Sequence, residues 1–178
     1  MQHACEHQSG QNIGGGVMAL HNMEKIEKLI GEKETIAVIS AVGKNGNPIS
    51  QVGRKLAIWE KGRIAYYEFL ESSQMQKNLV YSIWFDREVV INLIGKNGEN
   101  YRVTGKPYQA LIAGHQFEEA YINAQKEFGT DTDLSTVWLF DVTAVEDDTY
   151  EAAKAREEKE HPYLMHMDHI YRKEAVYD

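Results

Sequence analysis

Cysteine is nearly absent. The one thiol, Cys5, cannot close an intramolecular disulfide, which excludes a disulfide-stapled scaffold and suits a reducing compartment. Long apolar runs are missing too: stretches such as Ile36 to Ile39 fall far short of the roughly 20 residues a membrane helix needs. Val17 to Leu20 is too short for the apolar region of a secretory signal, and no basic region precedes it. Cationic excess is the third absence. With 19 Lys and Arg against 27 Asp and Glu the net charge is -8, so an extended anionic polymer is repelled and nucleic acid is a poor partner. These absences lead us to expect a cytoplasmic protein with neither membrane nor nucleic-acid partners. The chain also lacks a Ser-His-Asp order, a Walker loop, a dinucleotide fingerprint and paired zinc-ligand spacing, which leaves hydrolase, NTPase and Rossmann dehydrogenase readings unsupported.

What is present is an ordinary globular mixture, 43% apolar and 26% charged over 178 residues, enough for one domain with a core plus a terminal extension. Residues 1–22, rich in Gln, His and Gly, read as a flexible leader, and Met18 and Met23 are alternative starts. From Met23 the spacing of Ile26, Leu29 and Ile30 predicts a short amphipathic helix stopped at Gly31. Six strands are then expected: Thr35 to Val42, Ile49 to Trp59, Arg63 to Phe69, Glu88 to Ile94, Asn100 to Ala113 and Ser135 to Val145. Asn45-Gly46 and Asn97-Gly98 supply hairpin turns. Helices are expected at Ser72 to Ser82 and His115 to Phe128. The near-continuous apolar run of the sixth strand predicts cover on both faces. Residues 150–178 form a charged helical segment followed by Tyr163, Leu164, Met165, Met167, Ile170 and Tyr171, which we expect to close over the barrel as a lid.

Short antiparallel strands with one small and one longer helix suit a closed barrel, since closure removes exposed sheet edges. The landmarks Gly46-Asn47-Pro48, Arg54-Lys55-Leu56, Gly62 to Tyr67, Ser72 to Leu79, Tyr101 to Lys106 and Trp138 to Val142 lie in the order and spacing of a known family. Over about residues 34–146 the chain resembles the FMN-binding split-barrel family, also called pyridoxamine 5'-phosphate oxidase-like. The resemblance implies a mainly β, α+β fold, a six-stranded antiparallel Greek-key split barrel over residues 23–149, and a homodimer holding FMN between its subunits. It nominates Arg54 and Lys55, and Ser72, Ser73, Gln74 and Lys77, as cofactor-binding residues. Physical chemistry agrees: a phosphate needs cations and oriented N–H or O–H donors, and a Ser-Ser turn opening a helix with Lys77 one turn inside offers both. Glu68 and Glu71 fall in the same stretch, where a carboxylate opposes a dianion.

The resulting functional expectation is an FMN-dependent oxidoreductase with a small-molecule electron donor or acceptor, its catalytic residues unassigned. The alternative is a flavin- or haem-binding barrel without turnover. The Arg-rich ending of true pyridoxamine phosphate oxidases is missing from Arg172 to Asp178, so a vitamin B6 substrate does not follow. His161, His166 and His169 with Asp168 lack the tight spacing of a metal site and are read as polar residues of a docking tail, and His3, Cys5 and His7 lie in a floppy leader that supplies no preformed geometry, leaving no metal expected. Trp59, Trp84, Trp138, Tyr66, Tyr67 and Tyr101 are expected in the core or at the dimer interface.

Overall fold

The computed structural model describes residues 23–60 and 62–162. Helix α1 (residues 23–31) leads into β1 (Ile36–Val42), β2 (Pro48–Gly53), β3 (Leu56–Glu60) and β4 (Arg63–Glu68). Then follow α2 (Gln74–Trp84), β5 (Val89–Ile94), β6 (Asn100–Leu111), α3 (His115–Phe128), β7 (Thr136–Asp147) and α4 (Tyr150–Glu160). Every strand pairing is antiparallel. The expected fold class holds with seven strands rather than six, because the stretch predicted as one strand from Ile49 to Trp59 breaks at Arg54-Lys55.

That break closes the barrel. The strands lie in the order β2-β1-β5-β6-β7-β4-β3, so β2 and β3 are the two edges of the sheet. Laid flat, edges six spacings apart would stand about 29 Å from each other. Only Arg54 and Lys55 connect them, and three Cα steps span at most about 11 Å. The sheet must therefore curl until the end of β2 and the start of β3 come together, although among the described residues the two edges do not pair with each other as strands. At the joint Gly53 sits in a close approach: a Cβ there would stand 3.0 Å from Leu56 Cδ1 and 3.3 Å from the Tyr66 ring, so a larger residue would make those side chains shift by a few tenths of an ångström.

Strand alternation then sorts the side chains. Ile64 and Tyr66 of β4, with Trp138 and Phe140 of β7, point into the barrel with Ile39, Ile91, Leu93 and Val103, and α1 and α2 add Ile26, Leu29, Met75 and Leu79. Ala65, Tyr67, Val137 and Leu139 point outward, under Ala120 and Ala124 of α3. The apolar run of β7 is thus covered on both faces, as expected, by this chain's own barrel core and α3, so it gives no reason to invoke a second subunit. The hairpin glycines Gly46 and Gly98 take φ of +78° and +86°, values that L side chains rarely adopt. Helix α2 is capped by Ser73, one residue later than the predicted start, and α3 has the predicted bounds. Helix α4 buries no residue and is tied to the barrel through Arg156, which reaches the Asp147 carbonyl and the Asp148 carboxylate. The predicted leader (1–22) and the apolar end of the predicted lid (163–178) lie outside the described residues.

Burial decides which large apolar side chains matter. Leu93 is completely buried in the barrel, whereas Trp84 is 79% exposed at the end of α2, outside both the core and the chain's own interfaces. Leu93→Ala is expected to destabilise the protein by about 2–5 kcal/mol, and Trp84→Ala by less than about 0.5 kcal/mol, in chemical denaturation. Equal effects would contradict this placement of the core.

Candidate functional site

The joint between β2 and β3 carries the basic pair. The Arg54 guanidinium is exposed at its edge, with its carbon 4.3 Å from the Phe128 ring centroid and 5.2 Å from that of Phe69. Those two rings pack edge to face, 5.6 Å apart, so the guanidinium rests on a rigid aromatic floor. Among the described residues Arg54 has no carboxylate partner. Lys55 differs: its side chain is only 18% exposed, is ion-paired with Glu127 at the end of α3, and lies 5.3 Å from the Tyr67 ring.

Arg54 borders two cavities. One, of about 700 Å³, lies between the end of α1, the joint and the end of α3, and its lining includes Lys33, Thr35, Arg54, Lys55, Glu127 and Phe128. The other, of about 270 Å³, is lined by Gln51, Arg54, Tyr66, Tyr67, Glu68 and Phe69, with Val52 and Leu70 at its border.

The other four nominated residues sit apart from these cavities, at the start of α2. Ser72 and Lys77 are exposed, and Gln74 donates to Asn78 Oδ1 at 2.9 Å. Ser73 is fully engaged: its hydroxyl accepts from the Gln76 amide at 2.9 Å and donates to Glu68 Oε2 at 2.9 Å. Glu68 is only 2% exposed. Its Oε2 also accepts from the Tyr66 hydroxyl at 3.1 Å and Gln51 Nε2 at 3.3 Å, and its Oε1 accepts from the Leu70 amide at 3.1 Å. The structure therefore brings Arg54 and Lys55 together, keeps Ser72 to Lys77 as a second group, and places Glu68 between them, facing Arg54's smaller cavity on one side and holding Ser73 on the other.

Four participants were not identified as site residues from sequence: Gln51, Phe69, Glu127 and Phe128. Phe128 was legible only as part of the apolar face of α3, and Gln51 only as a polar residue within a strand. The signal that could have found Glu68's role is a carboxylate closing the apolar run Ile64 to Tyr67, where only a well-satisfied charge is tolerated. His161 is exposed at the C-cap of α4 and His115 at the start of α3; His3, His7, His21, His166, His169 and Cys5 lie outside the described residues.

No protein-family model matches the chain, and no curated protein does. Solved structures do. Group A Streptococcus HupZ superposes with a TM-score of 0.58 at 18% identity, covering 71% of this chain and 94% of its own. An FMN-binding protein from Syntrophomonas wolfei superposes with a TM-score of 0.59 at 16% identity, covering 75% and 90%. The chain has the pyridoxamine 5'-phosphate oxidase-like split-barrel fold. A Clostridium acetobutylicum protein of the pyridoxinephosphate oxidase family shares this split barrel with a TM-score of 0.50 at 11% identity, covering 73% and 89%.

Within the split barrel, burial first, then the facing Glu68 carboxylate, raises the Tyr66 phenol above the ordinary tyrosine range, and burial does the same for Tyr67. Unfolded tyrosines ionise near pH ~10 while these folded ones keep their protons, so their stabilisation is complete below that pH and is lost as pH rises beyond it. The denaturation midpoint is expected to fall above about pH 10, with Tyr66→Phe flattening part of the fall. An identical slope in the two proteins would remove Tyr66 from this role.

Proposed function

We propose that this split barrel binds FMN, anchors its phosphate on Arg54, and works as an oxidoreductase through the bound flavin. The observation that carries the reading is the Arg54 guanidinium, stacked on Phe128 and Phe69, unpaired with any carboxylate among the described residues, and shared by two cavities. An oriented guanidinium fork with free N–H edges is suited to a phosphate. The larger cavity, about 700 Å³, falls in the range of cofactor sites, and its lining holds Lys33 and the Glu127-paired Lys55 beside Arg54, together with the carboxylates of Glu27 and Glu32. The residues present fit an anion at Arg54. They do not fit one at Ser73, whose hydroxyl already serves Glu68 and the helix cap. The Syntrophomonas wolfei structure, named as FMN-binding, supports the choice of flavin.

Flavin, when bound, supplies hydride or electron transfer at its N5 atom. The chain's own part is to hold and shield. Arg54 binds the charged end, the aromatic wall of Tyr66, Tyr67 and Phe69 orders the smaller cavity, and the Lys55–Glu127 pair keeps α3 seated against the joint. Val52 and Leu70, apolar yet exposed beside the smaller cavity, are the side chains that a second copy in a homodimer would cover.

Flavin fluorescence titration tests the reading. FMN is expected to bind at least about tenfold tighter than riboflavin, and Arg54→Ala to erase that difference, because it removes a charge-assisted phosphate contact worth about 1.5–3 kcal/mol. Lys77→Ala, on the exposed face of α2, is expected to do less. Light scattering on the same samples is expected to give twice 20.3 kDa. Equal affinity for FMN and riboflavin, or a purified protein with a Soret band in place of flavin absorption, would overturn the assignment.

A further inference from the structure

We propose that Glu68 is the resident anion of the α2 end, and that it sets ligand specificity by occupying from within the chain a cradle that would otherwise take a ligand phosphate. Four donors converge on it from three places in the fold. They are the Gln51 amide of β2, the Tyr66 hydroxyl of β4, and the Leu70 N–H and Ser73 hydroxyl at the entry to α2. Two hydroxyls, a side-chain amide and a backbone N–H beside a helix start make a set suited to an oxyanion. The carboxylate they surround is 2% exposed, and no cation contacts it among the described residues.

A carboxylate in such a place is stable only if hydrogen bonds replace its hydration. Here three bonds fall on Oε2 and one on Oε1. The donors are thereby spent, and a dianion approaching the same spot meets a fixed negative charge. Glu68 also faces Arg54 across the smaller cavity, so an incoming phosphate is directed to the guanidinium and away from α2. This inference concerns the cradle alone and holds whether or not flavin is the ligand.

Inorganic phosphate is the probe, titrated by calorimetry against chloride at matched ionic strength. Glu68→Ala, which empties the cradle and leaves its donors in place, is expected to bind phosphate at least about tenfold tighter than wild type. Adding Ser73→Ala to it is expected to remove most of the gain, leaving the part that comes from lifted repulsion at Arg54. Glu68→Gln is the control for charge: it fills the same space, so it is expected to gain far less, although it too lifts the repulsion at Arg54. If Glu68→Ala does not fold, Glu68→Ser, equally short but leaving a hydroxyl for its neighbours, carries the same expectation. No gain on shortening Glu68, or an equal gain in Glu68→Gln, would overturn the proposal. The flavin reading fails by a separate result, equal binding of FMN and riboflavin by the wild type.

Discussion

The two-residue joint between β2 and β3 is the constraint on which the rest of the structure depends. It ties together the edges of a seven-stranded sheet, so the sheet cannot stay open, and the curl creates an interior for the alternate side chains of β1, β4, β5, β6 and β7. The same joint exposes Arg54-Lys55 where two cavities meet. Barrel closure and the candidate site are one piece of geometry: an uninterrupted strand through these residues would have lost both.

Charge around the joint is sorted by burial. Lys55 is mostly buried and neutralised by Glu127, while Arg54 is exposed and rests on aromatic rings. A partly buried lysine without a partner would lose hydration that nothing replaces, whereas a guanidinium is more weakly hydrated and gains from stacking. The division leaves Arg54 as the cation at the joint that is open to a ligand. Glu68 completes the sorting. Its four hydrogen bonds link β2, β4 and α2 across the seam, so the carboxylate is at once a structural tie and the reason the α2 end does not offer Ser73 to an anion.

Much of the fold was legible in the sequence because its signals are local. Asn-Gly turns mark two hairpins, the apolar spacing of Phe117 to Phe128 ended by Gly129 marks α3, and the unbroken apolar run at Val137 to Phe140 marks a strand covered on both faces. The break at Arg54-Lys55 was not legible. It has no proline and no Asn-Gly pair, and it exists because distant edges must meet, which no local pattern records. The site divides the same way. Arg54 and Lys55 stand out as a basic pair, but their difference in partners depends on the far end of α3. Ser73 reads as a phosphate donor from its place before a helix, and only the fold reveals that Glu68, five residues earlier, already holds its hydroxyl.

The most direct measurement is a crystal structure of the protein grown with FMN. The account predicts the phosphate on the Arg54 guanidinium, with the Glu68–Ser73 hydrogen bond intact and Lys55 still paired with Glu127. A phosphate seated on Ser73 at the start of α2, with Glu68 turned out of its cradle, would contradict it.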